Sequence, residues 1–391
     1  MYEKSFSLRY HNSFNGRSIT ESCMRYQLSL IFSVLLVILI VSAGCSDSEP
    51  ASTVSPGGSP LGGTGAGGVS VKVSAMDSVL ASTYLQLSDF KMNFIEFDVI
   101  NPTNSPKTFI VESEIPGFTE KAVNTVDVPA RSNVTIGQAP SLRTSAVPSE
   151  MTTATLHYKV SLADGTRVDE QTYPIKIYAK DTMIWAVSDG QDWNDMTPFI
   201  AAWVTPHAAE IDPLVRRAAG YTADNTIAGY QCGDSCSDAQ WQEYSDAQVK
   251  AIFTALKNDY GLTYINSPIA YGKETENPQR VRLPKDSIAQ KSANCIDGTV
   301  LYASALESIG ITPHIIILPT HAFVCYETKQ DSPDSLSCLE TTMTGSSSFE
   351  DAVAYANQEY RDEIANGNFK AGRSQDLSIA NLRKAGILPM Q

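Results

Sequence analysis

Apolar and polar residues alternate with period two from Val69 to about Ala179. Such alternation is typical of strands that bury one face and expose the other. Turn residues interrupt it about every ten positions, and Asp164-Gly165 is a typical two-residue hairpin turn. The pattern predicts a segment of short antiparallel strands that fold into a β-sandwich.

The number of strands narrows the choice among β folds. Roughly seven short strands in about 110 residues are typical of an immunoglobulin or fibronectin-III sandwich. The segment contains no Cys, which excludes a disulfide between its two sheets. We predict an immunoglobulin-like β-sandwich over residues 69–180 that serves as a spacer or a binding surface.

The hydrophobic period changes after Trp185. Apolar residues then recur at helical spacing, as at Val249, Ile252, Phe253 and Leu256. Ser245 and Gln248 fit a capping box that would begin this helix. Apolar strand-like segments follow further along the chain. The pattern predicts a second, mixed domain over residues 185–391, so the predicted fold class is α+β.

An uncharged apolar run extends from Leu28 to Val41. It is short for a membrane-spanning helix but typical of the core of a signal peptide. The small residues 42–44 and Cys45 then resemble the lipobox of bacterial lipoproteins, although Ser42 stands where that motif usually has Leu or Val. We predict a signal peptide over residues 1–44 and lipidation of Cys45. An uncleaved N-terminal anchor is the alternative.

Residues 45–68 are predicted to form a flexible tether. Ser, Gly, Pro, Thr and Ala dominate this segment, and it contains no aromatic residue. A lipid anchor or an uncleaved helix would place the protein in the cell envelope, attached to a membrane and exposed outside the cytoplasm. The net charge of −14 repels phosphate backbones, which argues against nucleic acid as a partner.

Two cysteines, Cys232 and Cys236, lie four residues apart in a turn-rich segment. In an exported protein such a pair is expected to form a local disulfide. A zinc site would need two further ligands nearby, and the sequence offers none that is evident. We therefore predict a disulfide here and no metal, with zinc as the weaker alternative.

Cys295 stands at the start of a predicted helix that ends at Gly310. Unpaired backbone N–H groups and the positive end of the helix dipole stabilise a thiolate there, and they could also stabilise an oxyanion. Downstream, His321 opens an apolar strand and Glu340 lies in the next one. A hairpin with His321 opposite Glu340 would let the carboxylate orient the imidazole that takes the thiol proton. His314 has no such company and is interpreted as structural.

Other polar residues and cysteines lie near these three. Gln279 and Asn294 precede the nucleophile, and either could donate to an oxyanion or simply belong to a loop. Asp297 lies in the first helical turn, where it caps the helix but opposes formation of a thiolate. Cys325 and Cys338 are interpreted as packed thiols or as a cross-strand disulfide, without a catalytic role.

The order of these motifs resembles the transglutaminase-like superfamily of the papain-like fold. In that family a Cys precedes a helix, a His is followed by a small and an aromatic residue, and an acid lies in a Leu-Asp-Pro-Thr-like strand. Here the corresponding residues are Cys295, the run His321-Ala322-Phe323, and Glu340 within Leu-Glu-Thr-Thr. The resemblance implies that Cys295 is the nucleophile, His321 the base and Glu340 the third member, at a position where the family more often has Asp.

The resemblance implies acyl transfer from a protein or peptide amide through a thioester on Cys295. Water as the acceptor would make the protein a peptidase or amidase, and an amine would make it a cross-linking enzyme. No cofactor is needed for this chemistry. The alternative is a catalytically idle transglutaminase-like module that binds a partner in the envelope. The Glu at the third position and the lack of a strong oxyanion donor favour that alternative.

Overall fold

A computed structural model describes residues 61–64, 68–84, 86, 93–188, 193–233, 235–266 and 278–390. The predicted signal peptide, Cys45 and most of the predicted tether lie outside the described residues. Within the described ranges, none of the helices combines the length and the apolar character needed to cross a bilayer.

The N-terminal part of the described chain forms two sheets. Their strands are β1 (Leu61–Thr64), β2 (Ser70–Ala75), β3 (Ser78–Leu80), β4 (Ile95–Asn101), β5 (Lys107–Glu114), β6 (Ala122–Val128), β7 (Ser132–Gln138), β8 (Thr152–Leu162) and β9 (Arg167–Tyr178), with a short helix α1 (Ala81–Tyr84) after β3. One sheet has the order β1-β2-β4-β7 and the other β3-β9-β8-β5-β6. The two sheets share one hydrophobic core, to which Phe97 of β4, Phe109 of β5 and Tyr158 of β8 contribute fully buried rings.

The end of the predicted tether is a strand instead. Leu61–Thr64 pairs with β2 in antiparallel register, so the prediction of a tether through residue 68 is wrong for these four residues. An edge strand is held by backbone hydrogen bonds and tolerates residues of low strand propensity. Gly63 is suited to this position because a Cβ there would lie 2.9 Å from the Asp169 carboxyl group.

The C-terminal part of the described chain combines helices with short sheets. Its strands are β10 (Thr182–Ile184), β11 (Ala186–Ser188), β12 (Trp193–Asp195), β13 (Thr263–Tyr264), β14 (Pro278–Arg280), β15 (Ser292–Ala293), β16 (Pro313–Ile317), β17 (Ala322–Glu327), β18 (Leu336–Leu339) and β19 (Gln375–Ser378). Its helices are α2 (Ile211–Ala219), α3 (Asp238–Asn258), α4 (Pro284–Gln290), α5 (Cys295–Ser308), α6 (Phe349–Ala365) and α7 (Ile379–Lys384). The predicted α+β fold class is therefore confirmed.

One four-stranded antiparallel sheet, with the order β18-β17-β16-β19, organises this part. Ile315 and Val324 on one face belong to the large core around α5. Ile316 and Phe323 on the other face pack with Ala356 of α6. The sheet thus lies between the two helices, as expected when strands carry apolar residues at every position.

The start of α3 differs from the prediction. The helix begins at Asp238, where Ser237 and Gln240 form the capping box. Ser245 and Gln248, predicted to form it, lie inside the helix and are buried. Ser245 Oγ donates to the Thr328 carbonyl, and Gln248 bonds backbone groups outside the helix. Ser245 and Gln248 have the spacing of a capping box, but their polar groups make tertiary hydrogen bonds instead.

Candidate functional site

A capping box fixes Cys295 as the first residue of α5. The Asn294 side-chain oxygen accepts from the Asp297 N–H at 2.9 Å, and Asp297 Oδ2 accepts from the Asn294 N–H at 3.3 Å. Asp297 Oδ1 also accepts from the Arg282 N–H at 2.8 Å. Burial raises the pKa of Asp297, and these two backbone hydrogen bonds oppose the rise. Asn294 and Asp297 therefore act as caps, and an oxyanion role for Asn294 stays a prediction.

His321 lies immediately before β17, and Glu340 immediately follows β18. His321 Nε2 is 2.6 Å from Glu340 Oε2. The other carboxylate oxygen, Oε1, accepts from the Thr342 N–H at 2.9 Å and from the Thr342 hydroxyl at 2.6 Å. Glu340 is only 2% exposed. Because both of its oxygens are engaged, the carboxylate holds the imidazole in one orientation.

Cys295 and His321 are hydrogen-bonded to each other. Burial of His321 opposes its protonation, but hydrogen bonds to Cys295 and Glu340 raise its pKa to about 10. Since Glu340 takes Nε2, Nδ1 is the ring nitrogen left for the sulfur. The structure thus brings Cys295, His321 and Glu340 together in the predicted order.

The predicted strand register is wrong by two residues. The observed ladder pairs Val324 with Leu339 and Cys325 with Cys338, so its extension would not place Glu340 opposite His321. Glu340 has already left the strand and begins a 3-10 turn over Thr341–Met343. A shift by an even number of residues keeps every side chain on its predicted face, so the two side chains still meet.

The segment after Glu340 packs closely on the first turn of α5. Thr341 Oγ1 donates to the Cys295 carbonyl oxygen at 3.4 Å. A Cβ on Gly298 would lie 2.8 Å from Thr341 Oγ1 and 3.1 Å from Thr341 Cβ. Gly298 therefore allows the helix that carries Cys295 to approach the turn that carries Glu340.

Both remaining pairs of described cysteines form disulfides. The predicted bond between Cys232 and Cys236 is present. Of the two alternatives for Cys325 and Cys338, the structure has the disulfide, which links β17 to β18. Cys295 keeps its thiol and is only 1% exposed. The exposed part of the site is the imidazole, because the His321 side chain is 23% exposed.

Gln279 lies on β14 and is buried. Its side-chain oxygen accepts from the indole N–H of Trp185 at 2.9 Å. In the ladder between β10 and β14 it lies opposite Met183. Half of its amide group is thus committed to Trp185, and an oxyanion role for the other half stays a prediction.

Glu359 of α6 is a site residue that was not predicted from the sequence. Donor atoms of His321, Glu340 and Glu359 all lie within 4.8 Å of one another. One signal for it exists: Ala352 and Ala356 face the sheet, and Glu359 continues their helical stripe where an apolar residue is expected.

Within the described residues, His321, Glu340 and Glu359 are the group whose donor types could hold a metal ion. One imidazole and two carboxylates are ligands that zinc accepts. A cation would, however, have to displace the proton of His321 and break its short hydrogen bond to Glu340. The arrangement fits a site that holds a proton better than one that holds a metal.

Another histidine, the buried His314, contacts two neighbouring strands of the sheet from its own strand, β16. Its Nδ1 is 2.7 Å from Asp376 Oδ1 of β19, and its Nε2 is 3.5 Å from Glu327 Oε1 of β17. Burial opposes protonation, but these carboxylates raise the pKa of His314 to about 9. Tyr360 of α6 donates to the other oxygen of Asp376 at 2.7 Å. The prediction that His314 lacks a partner of the kind His321 has is therefore wrong, since two carboxylates lie beside it, and its structural role stays a prediction.

The chain matches no protein-family model, and no curated protein matches it at a significant level. Support for a function therefore comes from the geometry of the site itself.

Proposed function

We propose that the protein is a cysteine acyltransferase or hydrolase that acts on a protein or peptide amide. One observation carries the proposal. Cys295 opens a helix and is hydrogen-bonded to His321, and Nε2 of His321 is held by the buried carboxylate of Glu340. This is the arrangement of nucleophile, base and orienting acid that nucleophilic catalysis needs.

In the proposed reaction, His321 takes the proton of the Cys295 thiol, and the resulting thiolate attacks the carbonyl carbon of the amide. Backbone N–H groups at the start of α5 stabilise the oxyanion that forms. The His321 imidazolium gives its proton to the leaving nitrogen as the carbon–nitrogen bond breaks, which leaves a thioester on Cys295. Water or an amine then attacks the thioester and gives a proton to His321, and the sulfur leaves. The acceptor decides between hydrolysis and cross-linking.

We also propose that the N-terminal sandwich is immunoglobulin-like and that the C-terminal part is transglutaminase-like. Two facing sheets with one shared core support the first assignment. The second is supported by a helix that begins at Cys295 and packs on an antiparallel sheet, with His321 just before β17 and Glu340 just after β18.

The proposed location is the cell envelope, with Cys45 lipidated and the rest of the protein outside the cytoplasm. The two disulfides support export, because such bonds persist in oxidising compartments. The membrane anchor itself rests on the sequence between Leu28 and Cys45.

A second candidate function is an idle module that keeps the fold and binds a partner. The burial of Cys295 favours this alternative, since the residue is only 1% exposed and its sulfur must become accessible before it can attack a substrate.

Trapping of an acyl intermediate tests the two candidates against each other. The protein is incubated with a panel of peptide, isopeptide and cell-wall amides, and the Cys295 peptide is examined by mass spectrometry. If the protein forms an acyl-enzyme, Cys295 of the wild type carries an adduct that water or an added amine releases. The variant Cys295→Ala then carries no adduct. If the protein is folded but no substrate of the panel gives an adduct or is turned over, the idle module is favoured.

A further inference from the structure

The inward stripe of α6 ends in a carboxylate beside the catalytic imidazole. Ala352 and Ala356 of this stripe are fully buried against the sheet. Glu359 follows them on the same face and lies within 4.8 Å of the donor atoms of both His321 and Glu340. A charged side chain at such a position costs stability unless a compensating charge or hydrogen bond is present.

The Glu359 carboxylate is close to His321 without bonding to it. Its Oε2 is buried and has no hydrogen-bond partner within the described ranges. Burial raises the pKa of Glu359, while the positive charge of His321 lowers it. The interaction between the two side chains is therefore one of charge across a short gap in a partly buried site.

Other charged groups face the same site from each neighbouring element. The nearby titratable groups are Cys295 of α5, Glu340 after β18, Tyr264 of β13, and Asp362 and Glu363 of α6. The contributions of Glu340, Glu363 and Asp362 to the pKa of Glu359 all act upward, and His321 supplies the opposing positive charge.

We propose that Glu359 is a second positioning carboxylate for His321, complementing the hydrogen bond from Glu340 with a through-space charge. The inference rests on the proposed function, because it assigns a fourth residue to the same site. Glu340 fixes the orientation of the ring through Nε2. Glu359 stabilises the positive charge on the ring and so keeps the proton on His321 until the leaving nitrogen takes it.

Titration of the His321 imidazole tests this role directly. The full chain is produced with isotope-labelled histidine, the His321 signal is identified by its loss in His321→Gln, and the midpoint is followed by NMR with EDTA present. Glu359→Gln removes an opposite charge at this distance, so the titration midpoint of His321 should be about one pH unit lower in this variant than in the wild type. Glu340→Gln should lower it further, because a hydrogen bond is lost as well.

Glu350→Gln is the matched control. Glu350 lies on the same helix but is exposed and pairs with Lys250 at the surface. Its replacement should leave the His321 midpoint unchanged. An unchanged midpoint in folded Glu359→Gln would overturn the proposal, since a residue that only fills space would give that result.

A reciprocal measurement protects the test against a variant that fails to fold. Coupling between two sites is mutual, so the Glu359 carboxyl group should titrate at higher pH in His321→Gln than in the wild type. No difference would again overturn the proposal. Failure of the proposed function is distinguishable from failure of this inference. In that case the reactivity of Cys295 would not depend on His321, while the titrations of His321 and Glu359 would still be coupled.

Discussion

At the scale of single residues, Glu340 shows how a Glu can occupy a position where an Asp is more often expected. Its carboxylate reaches forward to Thr342 with one oxygen and across to His321 with the other. Asp side chains readily bond the backbone two residues on, but they are one methylene shorter. The longer Glu side chain satisfies both partners from a backbone position that has already left the strand.

Gly298 gives a prediction at the same scale. Ala is favoured over Gly inside a helix by about 1 kcal/mol, so propensity alone predicts that Gly298→Ala stabilises the protein. The clash with Thr341 predicts the opposite, with a cost of about 1–3 kcal/mol for overpacking. We expect Gly298→Ala to lower the stability in urea and to slow alkylation of Cys295, because the displaced turn carries Glu340.

The double variant Gly298→Ala/Thr341→Ala provides the control. It removes the oxygen that clashes at 2.8 Å, so it should recover part of the stability lost by Gly298→Ala. If the stability lost by the double variant equals the sum of the losses in Gly298→Ala and Thr341→Ala, the clash is not the cause.

At the scale of elements, the end of α5 and the hairpin turn after β8 were predictable because local chemistry fixes them. Gly310 has a positive φ of 78° where α5 ends, and Gly165 has one of 88° in the turn between β8 and β9. The register between β17 and β18 was not predictable, because it depends on where Glu340 leaves the ladder to cap a turn.

The disulfide between β17 and β18 should contribute more to stability than the one in the loop. Cys325 and Cys338 are fully buried and enclose a longer segment, with a sequence separation of 13 against 4 for Cys232 and Cys236. Loop entropy alone predicts a difference of about 1 kcal/mol, and lost packing adds to it.

Urea unfolding of two double variants checks this difference. Cys325→Ala/Cys338→Ala is expected to lose about 2–4 kcal/mol and Cys232→Ala/Cys236→Ala clearly less. Equal losses of unfolding free energy in the two variants would mean that the cross-strand disulfide stabilises the protein no more than the disulfide within the loop.

At the scale of the whole molecule, the two largest hydrophobic cores of the described residues succeed each other along the chain. Ile177 belongs to the first and Met183 to the second, close to the predicted boundary. Gln86 joins the two parts, since its amide donates to the Leu388 carbonyl at 3.0 Å and accepts from the Leu388 N–H at 3.1 Å. Periodicity indicated the two kinds of core, but contacts between residues so distant in sequence leave no local signal.

The same limit explains which site residues were found. Cys295, His321 and Glu340 lie in segments with recognisable motifs of their own. Glu359 and Asp376 meet their histidines only because α6 and β19 fold back onto the sheet. The local sequence around Glu359 is typical of an amphipathic helix.

The two histidines with raised pKa values, His314 and His321, predict how the stability of the whole protein depends on pH. An unfolded histidine titrates near pH 6.5, whereas the pKa of His314 is raised to about 9 and that of His321 to about 10. Groups with a raised pKa stabilise the folded state fully below about pH 6.5, and this contribution is lost as the pH rises through 9 and 10. We expect the free energy of unfolding in urea to fall from pH 6.5 to pH 10.

Asp376→Asn should flatten this dependence, because it removes the closer partner of His314. Asp212→Asn, at an exposed position of α2, should leave the slope of the wild type. A slope that is identical in all three proteins would contradict the assignment to His314.

The most direct test of the central claim is the rate at which iodoacetamide alkylates Cys295 near neutral pH, read from the Cys295 peptide by mass spectrometry. His321→Ala removes the imidazole that is hydrogen-bonded to the sulfur, and His207→Ala removes an exposed histidine as the control. We expect the rate to fall at least about tenfold in His321→Ala and to stay unchanged in His207→Ala. Equal rates in the wild type and in folded His321→Ala would contradict the claim that Cys295 and His321 act as a catalytic pair.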